Sequence, residues 1–533
     1  MNRYSILSIF ICLLMTYGHG VAGEYQWSVK ARGYISPETD ANPEAFLWIP
    51  QDCQYVRAIV VGQHNMCEET IFNNEKFRRT MSELGFAIVW ITPGINYEWD
   101  VKSGCQEVFD NLLNDLAEVS GYDEIKNAPI VPLGHSAMAT SVWNFAAWNP
   151  GRTLAVVSYK GDAPRTNLTG YGRGNLEWGR TRNIDGIPGL MIEGEYEWWE
   201  ARVNPALAFR MMYPESCISF LGDVGHGHFD AFDPVVDYIT LFLKKAAVYR
   251  LDENKPGELK KINPREGWLA QRWSPDGKKR PETAPFVQYK GNPHDAFWYF
   301  DEDMARATER YYTSKTGKNT AYIGYMQQGK LLPFNEASHV RYSLPFKPTQ
   351  DGLTFNLSAV FTDSLHRSKV LHRSNDPISI HVINGPVQKI NDTTFRIQFY
   401  RMGLENKRRT NEITLVACHP GNSAYKSAVQ EIGMKIPYPL TAGKRQHIFF
   451  PGLQDKTANA APVELSAISD SGLPVFYYVK EGPAIIQGNK LALTKIPSRA
   501  KYPVKVTVVA WQYGLQGEVQ TAEAVKRIFY ITK

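Results

Sequence analysis

Five short runs between residues 56 and 192 are hydrophobic almost without interruption: 56–62, 86–91, 130–133, 154–158 and 190–192. A strand with one wet face alternates apolar and polar residues, so a run with no polar face belongs to a strand covered on both sides. Helical stretches lie between the runs. One covers 69–84. Another, 105–119, puts Val108, Leu112, Leu116 and Val119 on one face, and a third, 136–148, is stopped by Asn149-Pro150. Asp233-Pro234 opens a last helix whose apolar stripe is Val236, Ile239, Leu243 and Ala247. Buried strands alternating with helices predict an α/β fold over residues 24–250, a mostly parallel sheet flanked by helices. Ligands of such sheets meet the carboxyl ends of the strands.

One of those ends carries a nucleophile candidate. The run at 130–133 leads into Gly134-His135-Ser136-Ala137-Met138, and a helix follows. A serine on a tight strand-to-helix turn is pushed out above the sheet edge, and the N–H of the next residue, Ala137, lies where the helix dipole favours an anion. The motif departs from Gly-x-Ser-x-Gly in having Met138 at the second glycine. A serine hydroxyl needs a histidine to take its proton and an acid to orient that histidine. Downstream, Glu197 sits three residues past Gly194 at the end of a strand-like run, and His226 lies in the glycine-punctuated loop 223–230. His226 is preferred over His228 as the base, because Asp-x-Gly-His is the familiar lead-in to such a histidine. Glu195 and Asp162 are the alternative acids. Backbone N–H groups of His64 and Asn65, after the run at 56–62, are expected to complete an oxyanion hole with Ala137, each donor contributing roughly 3 kcal/mol. Trp198 and Trp199 beside Glu197 offer flat faces for sugar rings. No His/Cys/Asp cluster with ligand spacing stands near Ser136, so neither a metal nor another cofactor is expected in the chemistry.

The remainder bounds the setting. Arg3, the apolar residues 6–15 and Val21-Ala22-Gly23 read as a signal peptide over 1–23, implying export to a periplasmic or extracellular space. Cys12 lacks the small neighbours of a lipid-anchor site, so no membrane anchor is expected. The five other cysteines are scattered, allowing one or two disulfides at most. A net charge of +5 over 533 residues gives no case for nucleic acid. Beyond a linker at 255–267 the chain turns β-rich, with an accessory region at 268–441 and a sandwich-like unit at 447–533. The acids Asp301, Glu302 and Asp303 read as a helix start.

In the order Ser136, Glu197, His226, and in the segments 194–200 and 225–230, residues 24–250 resemble an α/β-hydrolase, specifically exported bacterial esterases of the dienelactone-hydrolase and acetyl-xylan-esterase branch. The closing region resembles Ig-like modules of secreted proteins that handle polysaccharides. The resemblance implies Ser136 as nucleophile, His226 as base and then acid, and Glu197 as orienter. The expectation is a secreted serine esterase of plant-type polysaccharide, a carbohydrate ester being its partner. The mild basic excess favours a uronate methyl ester, as in pectin, over an acetyl ester. The alternatives are a peptidase of the prolyl-oligopeptidase type and a non-catalytic carbohydrate-binding protein with an inactive hydrolase domain. A chain ending near Arg250 is expected to keep activity on small esters.

Overall fold

The computed structural model describes residues 24–165, 176–277, 280–370 and 377–533; the signal-like segment 1–23 lies outside them. Eight strands form one sheet: β1 (Trp27–Lys30), β2 (Glu44–Trp48), β3 (Ala58–Gln63), β4 (Phe86–Thr92), β5 (Ile130–His135), β6 (Val156–Tyr159), β7 (Pro188–Gly194) and β8 (Cys217–Asp223). Their spatial order is β1-β2-β4-β3-β5-β6-β7-β8. β1 and β2 are antiparallel additions, while β3 to β8 run parallel. That order is the α/β-hydrolase fold.

The helices are α1 (Cys67–Asn73), α2 (Glu75–Leu84), α3 (Cys105–Ser120), α4 (Ala139–Trp148), α5 (Glu200–Met212) and α6 (Asp233–Arg250). The single helix expected over 69–84 is two, because Asn74 leaves the helical conformation and its side chain caps the N–H groups of Lys76 and Phe77. Both faces of the sheet are dry, as the unbroken hydrophobic runs require. Val60 and Ile88 enter the core that also holds α2 and α6. Ile59, Val61 and Val89 enter the one built on α3.

Residues 255–267 do not end the catalytic unit. Strands β9 (Trp268–Gln271), β10 (Ala284–Pro285) and β11 (Ala296–Tyr299) pair as β10-β9-β11, and helix α7 (Glu302–Thr313) follows. The Ser219 hydroxyl donates to the Trp298 carbonyl (2.6 Å) and the Tyr299 hydroxyl to the Phe220 carbonyl (2.7 Å), so β11 lies against β8. Phe297 stacks on Phe220 with centroids 4.8 Å apart. Asp301 caps α7 through the Met304 N–H and pairs with Lys245 of α6. The boundary expected at 250 is therefore misplaced: residues 268–313 cover the β8 edge and share the hydrolase core.

The remaining β structure is not strung out behind the hydrolase. Within 447–533, one sheet has four strands and another three. The strand Val504–Trp511 serves two cores at once. Val504, Val506, Val508 and Ala510 join the core shared with β1 and α3, whereas Val509 and Trp511 join the core of residues 321–440. Gly482 N–H donates to the Tyr25 carbonyl (3.0 Å), so the start of the described chain lies against the unit at 447–533. All five cysteines after Cys12 are buried free thiols. No helix among the described residues is long and apolar enough to cross a membrane.

Candidate active site

Ser136 has φ 57°, a left-handed conformation that costs a non-glycine residue about 1–3 kcal/mol and persists only where the surroundings enforce it. Gly134 permits the turn, since a Cβ there would lie 2.4 Å from the Met138 carbonyl oxygen. Met138 itself is buried, and its methyl fills space that any side chain at Gly94 would claim, with 2.2 Å to a Cβ built there. The departure from the familiar motif is thus accommodated by a glycine on the β4–α3 loop.

Ser136 Oγ lies 2.8 Å from Nε2 of His228. His228 Nδ1 faces Glu197 Oε2 in direct contact. Serine, histidine and acid are thereby in line, with His228 where His226 was expected. The correction has a local cause. His226 Nδ1 is 2.9 Å from Asp230 Oδ1, within a buried cluster where Lys160 Nζ is 3.0 Å from Asp230 and 3.3 Å from Asp223. The loop thus turns His226 back under the sheet end. His228, two residues on, faces the serine, and His135 Nε2 lies 2.9 Å from the His228 carbonyl oxygen. Asp223, His226 and Asp230 bring three ligand-type atoms within 4.8 Å of one another, but the ammonium of Lys160 already stands among them as the cation.

The alternative acids are engaged elsewhere. Glu195 accepts the Gly225 N–H (2.7 Å) and pairs with Lys426. Asp162 accepts from Thr140 (3.1 Å) and from Arg202 Nε (3.2 Å). Arg202 is fully buried, stacks on Trp199, and reaches Glu193 Oε1 (3.6 Å) and Glu197 Oε1 (3.8 Å). Burial pushes the Glu193 carboxyl up to about 8 against the pull of Arg202. Burial, then the adjacent Glu193, push Glu197 up to about 9 against Arg202 and Lys160. Arg202 and Lys160 are the charges that favour the ionised form, in which Glu197 accepts the Nδ1 proton of His228.

Burial first, then His135, Arg202, His339 and Lys160, hold the His228 imidazole well below its ordinary 6.5. A base works in its deprotonated form, and a lowered pKa keeps it deprotonated to lower pH. The acid limb of kcat/KM on an ester is therefore expected below pH 6.5, measurable as a pH–rate profile. A limb at or above that value would contradict the electrostatic account.

The expected oxyanion donors are partly corrected. The His64 N–H continues the sheet, donating to the Ile91 carbonyl (2.7 Å), and the Asn65 N–H donates to Glu68 Oε2 (3.1 Å). Both are committed to the scaffold; Ala137 directly follows Ser136 in the helical turn Ser136–Met138. Sequence reading missed Glu68. Its carboxyl accepts the N–H groups of Asn65, Met66 (2.9 Å) and His135 (2.8 Å), tying the β3–α1 loop to the residue before the nucleophile. From above, Arg409 donates to the Asn65 carbonyl and to the Tyr97 hydroxyl (3.2 Å), and Arg401 pairs with Glu69 (3.2 Å). Ser427 and Lys426 hold the loops carrying His228 and Glu197. The contacts that join segments, Glu68 to His135 and Arg409 to Asn65, span 67 and 344 positions.

Trp198 packs edge-on against Trp273 (5.3 Å) and Phe220 (5.8 Å), so its ring belongs to the packing of the 268–313 extension, not to a sugar platform. Trp199 lies under the Arg202 guanidinium at 4.2 Å.

No protein-family model matches the chain, and no curated protein matches its sequence. Among solved structures, an S-formylglutathione hydrolase from Agrobacterium tumefaciens is 14% identical, covering 42% of this chain and 94% of its own, with a TM-score of 0.31. A dienelactone hydrolase from Anabaena variabilis is 16% identical, covering 43% and 99%, with a TM-score of 0.28. The esterase PE8 is 15% identical over 38% and 97%, with a TM-score of 0.27. Scores this low carry no functional argument, and the fold assignment rests on the strand order.

Proposed function

We propose that the chain is a serine hydrolase of carboxylic esters. The observation that carries the reading is the alignment of a strained Ser136, the His228 ring 2.8 Å from its hydroxyl, and Glu197 against the far nitrogen of that ring. In this reading Ser136 Oγ attacks the ester carbonyl while His228 Nε2 takes its proton. The Ala137 N–H faces the oxyanion that forms. His228 then returns the proton to the departing alcohol, and water repeats the cycle on the acyl-enzyme. Glu197 holds the ring in the required tautomer and balances the transient imidazolium. The lowered proton affinity of His228 keeps its ring deprotonated at neutral pH, the form that takes the serine proton.

The substrate is proposed to be a carbohydrate ester met outside the cytoplasm. Support comes from the signal-like order of residues 1–23 and the Ig-like reading of residues 447–533. The mild positive excess of the chain favours a uronate methyl ester over an acetyl ester. The test has two arms. A fluorophosphonate probe is expected to add to the peptide containing Ser136, and to no peptide of Ser136→Ala. Incubation with a panel of methylated and acetylated plant polysaccharides is expected to release methanol in preference to acetate. Labelling without release of either would overturn the substrate, and absence of labelling would overturn the mechanism.

A further inference from the structure

We propose that His339, from the β-rich region, is a substrate-contact residue on the leaving-group side of the site and limits the size of the alcohol accepted. The inference rests on the ester-hydrolase reading above. In acyl transfer the imidazole that took the serine proton hands it to the departing oxygen, so the alcohol must sit beside His228 Nε2. The His339 ring stands next to the ring that carries that atom. Its centroid is 5.1 Å from the His228 ring and 4.7 Å from the Phe229 ring, and Phe229 is itself 4.5 Å from His228. All three pairs meet edge to face. His228 is buried at the bottom of this group and His339 is exposed at its top, which makes His339 the rim.

The tip that carries it is held in shape before any ligand arrives. Asn335 N–H donates to the Arg341 carbonyl (2.9 Å), Ser338 N–H to the Asn335 carbonyl (3.1 Å), and the Ser338 hydroxyl to the Val340 carbonyl (2.8 Å). Phe334 and Tyr342 bridge its base. Although its ring is exposed at the rim, partial burial of its inner edge against the site, with Arg202 and Arg341 nearby, lowers the proton affinity of His339, so near neutral pH the ring is an uncharged wall. A rigid ring beside the base discriminates by shape. A pocket wall of this kind distinguishes groups differing by a methylene about 10- to 200-fold.

The test compares methyl, butyl and benzyl acetate in the full chain, in His339→Ala and in His339→Phe, with kcat/KM read for each. His339→Ala is expected to raise the benzyl-to-methyl ratio about tenfold or more, and His339→Phe to leave it unchanged or lower it. A ratio unmoved by His339→Ala, or a loss uniform across the three esters, would show a structural role only and overturn the proposal. Fluorophosphonate labelling of Ser136 in each variant reports that the triad is intact. If the unaltered chain hydrolyses none of the esters and takes no label, the ester-hydrolase reading fails and this inference falls with it.

Discussion

His228→Ala is expected to lower ester turnover by about a thousandfold or more, and His226→Ala to leave kcat within about tenfold of the unaltered chain. The contrast follows from where the two rings stand: one is 2.8 Å from the nucleophile and the other is bound to Asp230. Combining His228→Ala with Ser136→Ala is expected to cost little beyond either alone, since members of one proton-transfer chain act as a unit. The cost of His226→Ala falls on stability. It removes the partner of a buried carboxylate that Lys160 and the Gly227 N–H still hold, a loss of about 1–3 kcal/mol. Initial rates on a chromogenic acetyl ester and thermal melts of the four variants settle it. Equal loss of turnover in both histidine variants, with both still folded, would return the role of His226 to question.

A chain ending at Arg250 is expected to be insoluble, or soluble and without esterase activity. The cut removes β11 and α7 from the β8 edge and uncovers Phe220, Tyr238 and Phe242, all buried in the intact protein. Phe297, Trp298 and Tyr299 leave the shared core, each contributing about 1.5–3 kcal/mol through burial. Losses of that size, about 4.5–9 kcal/mol together, are comparable to the whole margin by which ordinary domains are stable. The cut also removes Arg409, Arg401 and Lys426, which hold the loops around the nucleophile. Soluble yield and labelling of Ser136 measure the outcome. A soluble product hydrolysing a small ester at the rate of the full chain would show that residues 24–250 suffice, as the sequence alone suggests.

The hydrolase half was legible because its signals are local. Unbroken runs such as 86–91 have no polar face, so they dictate buried strands, and Asn149-Pro150 stops α4 where the pattern says. Ser136 and Glu197 were reachable for the same reason, each lying a fixed short step past a strand end. The choice between His226 and His228 was not. It depends on Lys160 drawing Asp230, and with it His226, beneath the loop, a contact between residues 70 positions apart. The reach of Glu68 to His135 and of Arg409 to Asn65 was illegible for a stronger reason, because contacts 67 and 344 positions apart leave no pattern in the neighbourhood of either residue. The boundary at 250 was misread because a proline-glycine linker looks the same whether the next segment departs or folds back.

The strand Val504–Trp511, shared between two cores, bears on the order of events at the ribosome. The turn carrying Ser136 emerges early, yet Arg409 and the rim at His339 arrive only after hundreds more residues, and the strand that joins both cores arrives near the end of the described chain. Contacts of such long sequence separation form late and slowly. A nascent or prematurely terminated chain therefore holds its nucleophile in an unfinished setting. Hydrolytic activity becomes a property of finished molecules, withheld from fragments by topology alone.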